Sequence, residues 1–210
     1  MVGRARHDEL SDLFLGVSTR LSDDVWAMSE LPCLRLFVFK EGLLSRLGHD
    51  LRLSVESFEM TLETGNIVGR FRTGSIRVDG VMKGDAFDAR GLSSKDMGKI
   101  EKTIHGEILQ TSKFPEAVFE ASLEPRGDTG EVRGSLSLLG RRRALDTVQL
   151  LPMGDRLVAK LTIEPTRWGI KPYKGLAGAL KIQDRIDIEI GVAADFALDS
   201  IEARRWERQP

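Results

Sequence analysis

Most of the chain alternates between apolar and polar residues in short runs that turn residues separate. The clearest run, 186–192, reads Ile-Asp-Ile-Glu-Ile-Gly-Val, and residues 51–56 read Leu-Arg-Leu-Ser-Val-Glu. Comparable runs begin near residues 34, 67, 76, 117, 132, 144 and 157. Strict alternation is typical of strands that bury one face and expose the other. Strands at this spacing, joined by glycine-containing turns such as 126–130, predict an all-β sandwich or barrel.

One segment steps at helical intervals. Met97, Ile100, Ile104 and Ile108 are separated by three or four residues, and a pair of serines precedes them. Serine is a preferred N-cap residue, and this spacing places the four apolar side chains on one helix face. The sequence therefore predicts one amphipathic helix near residues 93–108, lying across an opening of the barrel or along its side.

The two ends of the chain lack either pattern. Residues 1–30 are polar and charged without steady periodicity, and residues 194–210 end in a charged stretch. We expect an N-terminal extension over 1–30, one β-barrel domain over 31–193, and a C-terminal tail or short helix over 194–210. The longest apolar stretch near the start, 13–17, is too short for a secretory signal. The protein is therefore expected to be cytoplasmic, or periplasmic if a native leader has been removed.

Composition narrows the function classes. Hydrophobic residues make up 41% of the 210 residues, and no stretch approaches the length of a membrane helix, so integral membrane association is not expected. Lys and Arg number 31 against 32 Asp and Glu, which argues against nucleic-acid binding through bulk positive charge. The single cysteine, Cys33, allows no intrachain disulfide and is expected to be a small buried residue.

Residues that could carry catalysis or bind a metal are few. The three histidines, His7, His49 and His105, are not spaced as zinc ligands, and no metal or cofactor is expected. His49 and Asp50 could form an acid–base pair, but neighbouring residues on a strand point to opposite faces. We therefore expect a protein that is not an enzyme. The basic run 141–143 fits either an anion site or a solvated hairpin loop.

Four stretches, in order, resemble the YceI-like family of lipid- or polyisoprenoid-binding proteins. They are 42–50 (Gly-Leu-Leu-Ser-Arg-Leu-Gly-His-Asp), 92–119 with its Phe-Pro-Glu-Ala-Val-Phe end, 132–140 (Val-Arg-Gly-Ser-Leu-Ser-Leu-Leu-Gly) and 168–184. The resemblance covers roughly residues 34–193. It implies an elongated antiparallel eight-stranded lipocalin-like β-barrel, with a long apolar cavity for a polyisoprenoid chain or a similar amphiphile.

This leads to a hypothesis of ligand binding, with one alternative. The barrel would hold a polyisoprenoid, an isoprenoid quinone or a fatty-acid-like molecule, as carrier, store or sensor. Alternation alone does not distinguish a hollow barrel from a packed one, so a packed structural or protein-interaction module, with a possible homodimer, stays open. The candidate ligand-binding residues are His49, as a polar head contact, and the apolar set Leu53, Val55, Phe71, Ile76, Phe119, Leu136, Leu138, Leu161 and Ile188.

Overall fold

The computed structural model describes residues 32–41, 49–126, 129–154, 156–175, 180–193 and 204–210. Most of them belong to one antiparallel sheet. Its fourteen strands are β1 Cys33–Glu41, β2 Asp50–Val55, β3 Phe58–Glu63, β4 Asn66–Arg72, β5 Ile76–Lys83, β6 Ala86–Asp88, β7 Glu116–Arg126, β8 Thr129–Leu138, β9 Arg141–Ala144, β10 Val148–Met153, β11 Arg156–Ile163, β12 Lys174–Gly175, β13 Leu180–Ala193 and β14 Arg204–Arg208.

The sheet curls. Its strand order is β14-β3-β4-β7-β8-β10-β11-β13-β1-β2-β5-β6, with β9 paired to β8 and β12 to β13. Two residues join β2 to β3, and the turn Thr73–Ser75 joins β4 to β5. At these joints the Glu56 amide donates to the Ser75 carbonyl (3.1 Å) and the Arg72 amide donates to the Ser57 carbonyl (3.0 Å). The predicted mostly-β fold is confirmed, whereas the count of eight strands is not.

The pairing register brings the apolar residues onto one face. Ile188 of β13 lies opposite Leu36 of β1 and Leu161 of β11. Directly paired residues in an antiparallel sheet point to the same side, so these three side chains share the concave face. Two clusters fill opposite parts of this face, one around Leu62 and one around Leu53. Cys33 is buried against Val158 in a separate small cluster, as expected for a small apolar residue.

The helix covers the second cluster. It runs over α1 Ser94–Thr103 and continues as a π-helical turn over Ile104–Ile108, close to the predicted span of 93–108. The Ser93 hydroxyl accepts a hydrogen bond from the Asp96 amide (3.2 Å), which satisfies an otherwise unpaired helix N–H. Met97, Ile100, Ile104 and Ile108 all pack toward the cluster around Leu53.

Two polar contacts fix the helix to β5. The Val78 amide donates to the Glu101 carboxylate (2.9 Å). The His105 ring Nε2 lies 2.9 Å from the Ile76 carbonyl oxygen, and the ring is half-buried. The helix is therefore held both by its apolar face and by two hydrogen bonds to the sheet. Of the other histidines, His7 lies outside the described residues.

The C-terminal residues extend the sheet. β14 pairs antiparallel with β3, from Arg204 opposite Leu62 to Arg208 opposite Phe58. A tail or short helix was predicted over 194–210, of which 194–203 lies outside the described residues. The structure differs for 204–208 because β3 would otherwise be an edge strand with an unpaired row of backbone groups. Nothing in the described part of the chain forms a helix long and apolar enough to span a membrane.

Candidate functional site: an apolar cavity

The concave face of the sheet surrounds a cavity of about 320 Å³. Inward-facing residues of β1–β5, β7, β8, β10, β11 and β13 form its wall, and the helix and the segment after β11 add to it. Most of the wall residues are Leu, Ile, Val, Phe and Ala. Cavities of this composition bind apolar molecules, with a few polar groups fixing their orientation.

One end of the cavity is closed and the other reaches the surface. At the closed end the wall residues Leu62 and Leu157 are only 2% and 3% exposed. At the other end the wall includes Lys171 and Tyr173, which are exposed, Tyr173 by 36%. We call this end, formed by residues 170–173 beside the helix, the mouth. An elongated ligand could enter here and extend its chain toward the closed end.

The structure brings nine of the ten sequence-predicted residues together in the cavity wall. They are Leu53, Val55, Phe71, Ile76, Phe119, Leu136, Leu138, Leu161 and Ile188. The tenth, His49, is exposed and does not contribute to the wall. It precedes β2, whose inward positions begin at Leu51. Ligand contact by any of the ten stays a prediction.

Sequence reasoning missed the residues that shape the mouth. Ile104 and Ile108 of the helix, with the buried Leu109 after it, form one side. Ile170 and Tyr173 form another. The helix periodicity signalled the first group, since an apolar face must cover something. The second group follows a 3-10 turn, Pro165–Trp168, and has no periodic pattern from which its position could be predicted.

Most polar side chains of the wall are engaged within the protein. The Thr73 hydroxyl donates to the Phe114 carbonyl (2.7 Å), and the Gln183 amide donates to the Lys40 carbonyl (3.2 Å). The Asp184 carboxylate accepts hydrogen bonds from the amide and the hydroxyl of Thr166. These contacts leave the cavity interior apolar. Among the described residues, no group of three or more His, Cys, Asp or Glu side chains is placed to hold a metal ion.

A charged network lies on the opposite face of the sheet. Leu51 and Leu53 line the cavity, and Arg52 between them pairs with Asp79 (3.0 Å), which also accepts from the Ser54 hydroxyl (2.7 Å). Burial lowers the pKa of the Arg52 guanidinium, and the neighbouring Asp79 carboxylate partly offsets this. An arginine stays protonated under these conditions. The network therefore supports the outer face of β2 and β5 and contributes nothing to the cavity.

Fold and site together define a class: a small mostly-β protein whose curled antiparallel sheet surrounds an apolar cavity with a helix at its mouth. Residues 48–194 match the YceI-like domain, and the chain belongs to the YceI-like family. The resemblance noted in the sequence is thereby confirmed. No curated protein matches the chain.

Solved structures agree in fold. BcnA from Burkholderia cenocepacia superposes with a TM-score of 0.52 at 12% identity, covering 76% of this chain and 93% of that one. A polyisoprenoid binding domain from Saccharophagus degradans, implicated in plant cell wall breakdown, gives a TM-score of 0.50 at 10% identity, covering 84% and 94%. At these identities the similarity shows the fold alone.

Proposed function

We propose that this protein binds a long apolar or amphiphilic molecule in its cavity, and that it acts by binding rather than by catalysis. The ligand class is a polyisoprenoid, an isoprenoid quinone or a fatty-acid-like chain, held for transport, storage or sensing. The observation that carries the proposal is the cavity itself, which is enclosed by apolar side chains at one end and open at the other.

Burial of a chain in such a cavity supplies enough free energy for binding. Each methylene removed from water contributes about 0.8 kcal/mol, so ten of them contribute about 8 kcal/mol before the cost of association. An elongated cavity that opens at one end suits a chain that enters tail first. Family membership and the structural similarity to a polyisoprenoid binding domain support the same ligand class.

The strands around the cavity can also be grouped into eight. β2 and β3 follow one another almost without interruption, as do β4 and β5, and the two pairs form one bent hairpin. Counting each pair as one strand, and adding β1, β7, β8, β10, β11 and β13, gives eight long strands around the cavity. We propose that these correspond to the eight strands of a lipocalin-like barrel.

The direct test is mass spectrometry of an organic extract from protein purified without detergent, beside the native mass of the intact protein. A stoichiometric long-chain molecule is the expected result. Absence of any bound mass, together with no uptake of a fluorescent long-chain probe, would contradict the proposal. It would favour the packed module that acts through its surface.

A cavity-filling variant distinguishes a binding cavity from a packed core. Ala159 lines the cavity, so Ala159→Phe places a ring in space that the ligand would use. Ala159 also belongs to the buried cluster around Leu62, so thermal melting checks that the variant is folded, and the folded variant should lose most probe binding. Ser122→Phe, on the exposed outer face of β7, is the matched control and should bind normally. If Ala159→Phe binds the probe as the wild type does, the chain does not occupy this cavity.

A further inference from the structure

Four basic residues gather at one side of the mouth: Arg141, Arg143, Arg167 and Lys171. We call them the mouth cluster. Lys171 belongs to the cavity wall, and the three arginines surround the turn Pro165–Trp168 that leads to it. All four are exposed. From the sequence alone, the run 141–143 could be either an anion site or a solvated hairpin loop.

The pairing register separates these arginines from their neighbour Arg142. In the β8–β9 ladder, Arg141 lies opposite Leu138 and Arg143 opposite Leu136, and both leucines line the cavity. Paired residues point to the same side, so Arg141 and Arg143 project from the concave face. Arg142 lies opposite Ser137 and projects outward. There it forms an ion pair with Glu120 (3.0 Å) and donates to the Ser135 hydroxyl (2.7 Å).

Backbone contacts hold the concave-side arginines around the turn. The Arg143 Nε donates to the Arg167 carbonyl (2.9 Å), and the Arg167 guanidinium donates to the Ala144 carbonyl (2.7 Å). The Arg141 guanidinium lies against Gly169, where a Cβ would come within 2.5 Å of its Nη1. Gly169 therefore provides the space for Arg141, and its φ of +82° also suits glycine.

The mouth cluster concentrates positive charge, and the nearest carboxylate of the cavity wall, Asp184, is engaged by the amide and the hydroxyl of Thr166. None of its four members forms an ion pair with a carboxylate of the described residues, in contrast to Arg142. Arg143 and Arg167 use only part of their N–H donors on carbonyl oxygens, which leaves donors for a further acceptor. Guanidinium groups match carboxylate and phosphate oxygens in geometry and charge.

We propose that the mouth cluster binds an anionic head group, a carboxylate or a phosphate, of the amphiphile whose chain lies in the cavity. The inference rests on the proposed function and narrows it to charged rather than neutral ligands. The chain would extend toward Leu62, and the head would remain at the surface beside Lys171. This assigns head-group binding to the mouth, where the sequence had suggested His49.

The test compares two ligands of equal chain length, a long-chain fatty acid and the corresponding alcohol, by displacement of an uncharged fluorescent probe. We expect the wild type to bind the acid more tightly, with a preference that weakens as salt rises. The double variant Arg141→Gln and Arg143→Gln should lose about tenfold in acid affinity, the size expected for hydrogen bonds to a charged group. Its affinity for the alcohol should not change.

Arg142→Gln is the matched control, since it removes the same charge from the opposite face of the same strand. It should leave both affinities unchanged, and thermal melting checks that all variants are folded. Equal binding of acid and alcohol by the wild type, or an equal effect of Arg142→Gln, would overturn the inference while leaving chain binding intact. Failure of both ligands to bind would instead overturn the proposed function, and this inference with it.

Two further arms distinguish the sources of the anion. Inorganic phosphate that displaces the fatty acid at equal concentration would reveal a free-anion site and overturn head-group recognition. Sedimentation with vesicles containing an anionic phospholipid, lost in the double variant while acid binding persists, would assign the cluster to a membrane surface and also overturn it. Weak effects of phosphate and of vesicles, beside tight binding of the acid, are the expected results.

Discussion

The two ends of the cavity are built from the same alternating strands and yet differ in construction. At the closed end, side chains such as Leu62, Leu123 and Leu157 interdigitate and are almost fully buried. At the mouth, the sheet alone does not close the space, and a helix and a glycine-containing turn complete the wall. The comparison indicates that one end supplies stability, whereas the other supplies access and selectivity.

The largest effect should come from the closed end. Leu62→Ala is expected to lower the free energy of unfolding by about 2–5 kcal/mol, because a fully packed side chain leaves a new void. Ile188→Ala, on a wall residue that is only partly buried, should cost less because fewer packing contacts are lost. Urea denaturation of both variants measures the difference. Equal losses would mean that the middle of the cavity is packed as tightly as its closed end.

A smaller effect is expected at the mouth. Gly169→Ala should lower the free energy of unfolding by about 1–2 kcal/mol, since an alanine is strained at positive φ. Its Cβ would also displace the Arg141 guanidinium, so acid affinity should fall while alcohol affinity holds. Gly154→Ala, at a positive φ in the β10–β11 turn with open space around it, is the control for strain alone. A similar loss of acid affinity in Gly154→Ala would contradict this role of Gly169.

The smallest effect on stability is expected at the N-terminus of the helix, and it should depend on pH. Hydrogen bonds from Lys99 and Ser93 lower the pKa of the Asp96 carboxyl below its ordinary value of 3.8. A carboxyl with a lowered folded-state pKa stabilises the fold above its unfolded-state pKa, and this contribution is lost as pH falls through the folded-state pKa. Asp96→Asn should therefore lower the urea midpoint at neutral pH.

The difference from wild type should shrink as the pH falls below about 4. Asp85→Asn, on an exposed turn residue that makes no hydrogen bond or ion pair within the described chain, is the control. A difference that stays constant from neutral to acid pH would show that the Asp96 charge contributes nothing to the helix start.

Much of the fold could be predicted from local pattern. Alternation over 186–192 specifies which face of β13 is apolar, because side chains on a strand point alternately to its two sides. The three- and four-residue spacing of Met97, Ile100, Ile104 and Ile108 specifies a helix in the same way. Nine of the ten candidate residues line the cavity because each lies on the apolar side of such a pattern.

The tertiary structure decided what no local pattern encodes. Whether the apolar faces meet or leave a cavity depends on the curvature of the whole sheet, and the partner of β3 is a segment far along the chain. His49 does not contribute to the cavity wall, because it precedes β2 and the first inward position of that strand is Leu51. The β8–β9 register pairs Arg141 with Leu138 and Arg143 with Leu136. These two arginines therefore lie on the face of the sheet that lines the cavity, whereas Arg142 lies on the opposite face. The sequence by itself determined the elements and their apolar faces, since these follow from neighbouring residues. The cavity and its charged mouth required the three-dimensional structure, since they arise from residues distant along the chain.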